Sequence, residues 1–534
     1  MPRLPSSPLI RMVPARRPWL PCWRALIAGV LIACQALLPW AAHAQVQALP
    51  GLSDGAEMTA TAERQLGDRI ARELYRDPDY IDDPVLVDYV QDIWQRLLAA
   101  ARARGELTPE LDERYAWQVM IGRDRTVNAF ALPGGYLGLH TGLIAITEHR
   151  DELAAVLGHE LTHVTQRHIS RMLTKQSKQA PLMLAAMILG GLAAAKSGRS
   201  GGDLGMAAMV GGQAMAMQKQ LDFSRDMERE ADRIGFGVMT QAGFSPRGAA
   251  AMFEKLQHAS RLNDNGSYPY LRSHPLTSER LTEMEARFQF RTEAVAPMAA
   301  QMDHAMIAGR ARVLGRPGVD QMRQWVRAAD SGEFGRAGPA QQAGILYAAA
   351  LSAVELRDFK AARALAERLA TRAQGDAAAE RLARLLRAEV ELDAGNGAAA
   401  MPLLDPKAHP KDRAELLLGA QAAVAARKPD ALAAPLRDWV ALHPRDAGIW
   451  RVLSAVYDAQ GETLRAIRAD AEANVAMLDY VAARDRFRAA QDWVRRAGPG
   501  TRVDHYEASI IDTRAREVEA KAREQLEDKD KPLQ

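Results

Sequence analysis

His159-Glu160-Leu161-Thr162-His163 closes a run that begins Asp151-Glu152-Leu153-Ala154-Ala155-Val156-Leu157-Gly158 and reads as one helix. Asp151 and Glu152 suit the positive N-terminal end of such a helix. Four residues of spacing bring both imidazoles within about 40° of each other on one face, so two nitrogens can bind one Zn2+. Glu160, beside the first of them, can take a proton from a water held there. With 12 histidines in 534 residues, chance assembly of H-E-x-x-H has odds on the order of one per cent.

A catalytic zinc takes a third protein ligand. Cys22 and Cys34 are the only cysteines, and both fall in an N-terminal stretch that reads as a removable leader, so the ligand must be His, Asp or Glu. The helix Phe223-Ser224-Arg225-Asp226-Met227-Glu228-Arg229-Glu230-Ala231-Asp232 is dense in acids. Glu228 and Asp232 share a face, whereas Glu230 points roughly 160° away from Asp232. The coherent assignment is Glu228 on the metal and Asp232 accepting a hydrogen bond from a ligand imidazole. His168 lies opposite His159 on a continuous helix and reads as structural or supporting.

Outside this core the chain divides by composition. Residues 1–44 read as a secretory signal peptide: basic to Arg24, apolar from Ala25 to Leu38, then Ala42-His43-Ala44. Lipidation at Cys34 is the competing reading. Lys plus Arg number 69 against 66 acids, but five arginines and no acid lie in residues 1–44. The remainder is close to neutral and gives no reason to expect nucleic acid.

Residues 62–76 and 84–103 read as helices, Tyr115–Ile121 as a strand, and Asn128–Leu139 as a second strand broken at Pro133-Gly134-Gly135. That stretch could offer an edge to an extended peptide. Residues 181–217 are rich in Ala, Met and Gly. Their apolar core, Pro181–Ala195, is short for a bilayer span and reads as a helical hairpin, with a peripheral membrane or partner contact as the second reading. From 291 onward the pattern is helical and repeats. Pro410 and Pro444, Leu416 and Trp450, Leu351 and Leu385, and Ala364 and Ala398 are each 34 residues apart, the tetratricopeptide period. Asp504–Lys529 reads as a terminal helix capping the stack.

His159-Glu160-x-x-His163 with Glu228-x-x-Ala231-Asp232 resembles the zinc peptidases related to CAAX prenyl proteases and bacterial heat-shock membrane proteases. Val127-Asn128-Ala129-Phe130-Ala131-Leu132-Pro133-Gly134-Gly135 matches that family's motif before the zinc helix, and Ser273-His274-Pro275 with Arg280 matches one after it. The resemblance implies one zinc per chain on His159, His163 and Glu228, with Glu160 as catalytic base. It makes His274 a candidate for the open coordination position or for transition-state stabilisation. Arg280 would hold a carboxylate or the oxyanion. The expected fold is an α+β zincin-type metallopeptidase domain (45–290) followed by an all-α tetratricopeptide-repeat solenoid (291–534).

With a leader and a repeat tail, the resemblance is to periplasmic members of the family. It implies an endopeptidase in quality control and assembly of outer-membrane β-barrel proteins, degrading unfolded or misassembled polypeptides, with the repeats contacting the assembly machinery. The rival is a non-proteolytic chaperone or assembly adaptor with a structural zinc. Glu160 speaks against it, since a structural site needs no base.

Overall fold

A computed structural model describes residues 58–174, 224–261, 267–289, 298–409, 411–429, 432–498 and 503–530. The leader, both cysteines and residues 181–217 lie outside these. The protein is mostly helical with one small sheet. Among the described residues no helix is long and apolar enough to cross a membrane.

Helix α1 (Ala60–Arg76) starts where the Thr59 side chain accepts from Ala62 N–H. Helix α2 (Pro84–Ala103) starts at Asp83, whose carboxylate accepts from Leu86 N–H, with Pro84 in the first turn. Both are common ways of satisfying exposed N–H groups. The sheet has order β1-β2-β4-β3: Tyr80–Ile81, Gln118–Gly122, Tyr136–His140 and Ala129–Leu132. Strands β2 and β4 are parallel, with Gln118 opposite Tyr136, and β3 runs antiparallel to β4, with Ala131 opposite Leu137. The break anticipated between β3 and β4 is a single turn at 133–135. Gly134 and Gly135 have φ of 72° and 86°. A Cβ on Gly135 would lie 2.7 Å from that of Tyr115, so bend and close approach both demand glycine there.

Helix α3 (Arg150–Thr165) carries the H-E-x-x-H run and is buried almost all round. That follows from its position: β3 and α2 pack on it, as do α5 (Arg225–Gln241) and α6 (Pro246–Arg261). The first-turn acids serve neighbouring elements. Asp151 accepts from Ser245 N–H at 2.7 Å, and Glu152 accepts from Glu148 N–H and Lys255. Helices α3 and α5 cross at Gly158 and Gly235, where a Cβ on Gly235 would fall 2.9 Å from Gly158 O. This crossing brings the two ligand-bearing helices together. After α3 the chain turns at Arg167 (φ 52°) into α4 (His168–Thr174).

Beyond residue 298 everything described is helical apart from short connections, including α7 (Met302–Leu314), α8 (Pro339–Glu355), α9 (Ala377–Asp393) and α10 (Arg413–Ala425). The last helix, His505–Asp530, lies where the charged terminal segment was expected. One hydrophobic core runs from Met58 to Leu478, so helices on both sides of residue 290 share it. Three aspartates at the start of α2 and just before it reinforce this joint. Asp83 meets Arg310 of α7, Asp82 meets Arg413 of α10, and Asp88 meets Arg381 of α9.

Candidate metal centre

His159, His163, Glu228 and His274 are all buried and each offers a donor atom within 4.8 Å of the others. The Nε2 atoms of His159 and His163 are 3.0 Å apart. Glu228, placed in the first turn of α5 by the Ser224 cap, lies 3.5 Å from the first through Oε2 and 3.4 Å from the second through Oε1. His274 Nδ1 lies 2.9 Å from Glu228 Oε1, and its ring stacks on Tyr270 at 4.6 Å. Its Nε2 lies 3.4 Å from Glu160 Oε1.

The surroundings fix where the protons sit. His159 Nδ1 lies 3.0 Å from Asp232 Oδ1 and donates to it, leaving Nε2 toward the cluster. Arg280 grips Asp232 with Nε and Nη2 at 2.6 and 2.8 Å, and its Nη1 approaches Glu228 Oε2 at 2.8 Å. Of the two roles left open for Arg280, its contacts fit carboxylate holding. Burial alone would lower the His159 pKa; hydrogen bonds to Asp232 and Glu228 outweigh it and raise it to about 10. Burial works against Glu228 ionising as well, yet His274, His159 and His163 hold its pKa well below the ordinary value. His163 is pushed well below its ordinary value, chiefly by burial. The pocket thus draws a cation, as a proton on His159 or as a metal among the imidazole nitrogens and Glu228. Nitrogen and carboxylate donors of this kind suit zinc.

Glu160 is fully buried. Its Oε2 accepts from Ala131 N–H at 2.9 Å, while Oε1 has no hydrogen-bond partner. Burial raises its pKa, opposed by His274 and His159. Ala131 belongs to the sheet edge. His140 N–H donates to Asn128 O, so by strand alternation the polar backbone groups of Ala129 and Ala131 face away from β4 and toward the cluster.

The structure brings together every residue singled out in the sequence for the site. Two more residues join it: His168, read from the sequence as structural or supporting, whose Nδ1 lies 2.8 Å from His163 Nδ1, and Glu230, read as turned away from Asp232, whose Oε2 lies 3.0 Å from His168 Nε2.

Residues 87–288 match peptidase family M48. That stretch, which holds the whole cluster, is similar to the M48 metallopeptidases. Enzymes of this family depend on zinc, and the buried His/Glu cluster is suited to hold it. The chain is 31% identical over 329 residues to a putative beta-barrel assembly-enhancing protease of Vibrio cholerae, covering 60% of this chain and 63% of that one. It is 30% identical to the beta-barrel assembly-enhancing protease of Escherichia coli, over 61% and 63% of the two chains. The Yersinia pestis protein of that name is 28% identical over 79% of this chain and 82% of its own. The first two alignments thus span less than two thirds of those relatives.

Proposed function

We propose that the protein is a periplasmic zinc endopeptidase that hydrolyses peptide bonds in unfolded or misassembled outer-membrane β-barrel proteins. Residues 291–534 would form a tetratricopeptide-repeat domain that contacts the assembly machinery, with chaperone activity toward the same clients. One observation carries the enzymatic part. Glu160 points a carboxylate oxygen that makes no hydrogen bond into a cluster of metal donors, 3.4 Å from His274 Nε2 and beside a strand edge with outward backbone groups. The names of the relatives support the β-barrel setting.

In this reading His159, His163 and Glu228 hold the zinc. When bound, it supplies a Lewis acid for the scissile carbonyl and acidifies a water. The edge at Ala129 and the Ala131 carbonyl, whose own N–H is held by Glu160, pairs with the extended substrate backbone, which is tolerant of sequence. Glu160 takes the proton of the attacking water at Oε1 and returns it to the leaving amine; its raised pKa suits both duties. His274 rests as a fourth donor, with Nδ1 at Glu228 and Nε2 toward Glu160. It must swing out for water to enter, so His274→Ala should raise basal proteolysis while zinc is retained. A rate clearly below wild type would assign His274 to the oxyanion instead.

The deciding experiment is metal analysis beside casein digestion, wild type against Glu160→Gln. Zinc should remain bound while hydrolysis falls by about 100- to 10,000-fold. Equal rates would return the protein to the chaperone or adaptor class.

A further inference from the structure

The two zinc-helix histidines are backed differently. On the side away from the cluster, the Nδ1 of His159 leans on the carboxylate of Asp232 directly, whereas the Nδ1 of His163 meets a second imidazole that in turn meets a carboxylate. His163 Nδ1, His168 Nδ1, His168 Nε2 and Glu230 Oε2 form a chain with steps of 2.8 and 3.0 Å. Arg171 Nη1 closes it from the outside, 2.9 Å from the same Glu230 oxygen. His163 and His168 are both fully buried.

The proton order in this chain is determined by its ends. Glu230 is a carboxylate facing a guanidinium, so it can only accept, and His168 must present N–H at Nε2. A neutral His168 then has a lone pair at Nδ1. Across the 2.8 Å contact His163 must donate from its own Nδ1, which turns a bare Nε2 toward Glu228 and His159. On one continuous helix a residue five positions after His163 would point about 140° away from it. The left-handed turn at Arg167 removes that obstacle, and it is pinned: the Arg167 guanidinium contacts Glu63, Ser170 and Met58 O.

We propose that His168 and Glu230 are positioning residues that fix the tautomer and ring orientation of His163 for zinc. This rests on the zinc reading above. Zinc affinity of the intact protein, measured by competition with a chelator, tests it without recourse to proteolysis. His168→Leu should weaken zinc binding about 10- to 100-fold. His168→Asn keeps an acceptor where Nδ1 stood and loses only the link to Glu230, so it should recover most of that loss. Glu230→Gln still accepts from His168 and should weaken binding only a few-fold. The proposal is overturned if His168→Leu binds zinc like wild type. It is overturned equally if Leu and Asn lose the same affinity, because the loss then follows ring packing and not the hydrogen bond. Failure of wild type itself to bind zinc would instead overturn the metal-site reading.

Discussion

Two clusters of buried charge, one at a joint between helices and one at the metal centre, are resolved differently. At the joint between α2 and the later helices each acid meets a guanidinium. Arg310, 3% exposed, takes both oxygens of Asp83 at 2.7 and 2.6 Å, both oxygens of Glu389, and the Tyr347 hydroxyl. Arg413 does the same between Asp82 and Asp446. Across α3 and α5 one guanidinium, Arg280, holds Asp232 and approaches Glu228, but Glu160 and Glu228 also face imidazole nitrogens 3.0 Å apart, and a carboxylate oxygen of each has no hydrogen bond. Guanidiniums each shared between two carboxylates hold a joint together. Imidazole and carboxylate donors converging on one point are a place to bind a metal.

The contrast breaks most visibly at Arg310. Arg310→Met strands Asp83 and Glu389 and should cost about 3–5 kcal/mol, read by denaturant melts, while the folded fraction keeps wild-type zinc affinity. Removing residues 291–534 altogether opens the shared core as well, so that fragment should melt far below the full chain. Glu228→Gln should do the reverse, lowering zinc affinity at least 100-fold, about 3 kcal/mol, with the joint intact. Loss of metal from the Arg310 variant, or its retention by the Glu228 variant, would erase the distinction.

A smaller effect tests the joint by pH. His304 of α7 is buried between the Tyr89 hydroxyl at 2.7 Å and Thr147, and burial pushes its pKa down to about 3. The folded protein therefore binds fewer protons here than the unfolded chain, whose imidazole titrates near 6.5. Stability is full above pH 6.5 and falls as the pH drops, by about 2 kcal/mol at pH 5. His304→Gln should flatten that slope; an unchanged slope assigns it to other groups. The smallest expected stability change is at the helix crossing. Gly235→Ala overpacks Gly158, a cost of about 1–3 kcal/mol partly offset by about 1 kcal/mol of helix propensity. Its clearer mark should be weaker zinc binding, because α5 carries Glu228 and Asp232.

Which parts of this were legible in the sequence follows from distance along the chain. His159 and His163, or Glu228 and Asp232, are one helical turn apart, so helix geometry alone gives their shared face. Glu230 was read as turned away from Asp232, and its partner His168 was placed by extending α3 through a turn that no local pattern announces. The αL conformation of Arg167 is held by Glu63, 104 residues earlier. Arg280 could be narrowed to a carboxylate or an oxyanion, and only the position of Asp232 chooses between them. Strand β1, two residues long, exists through its pairing with β2 and leaves no periodicity to read.

The acid–arginine joint also sets an order of events as the chain is made. Asp83 precedes Arg310 by 227 residues, Asp88 precedes Arg381 by 293, and Asp82 precedes Arg413 by 331. Contacts of such separation form late, because a long loop must close first. Until the arginines emerge, three carboxylates crowd the start of α2 with nothing to neutralise them, and their mutual repulsion disfavours its docking on premature partners. The N-terminal half should therefore reach its full stability only once the helices that carry those arginines have docked on it.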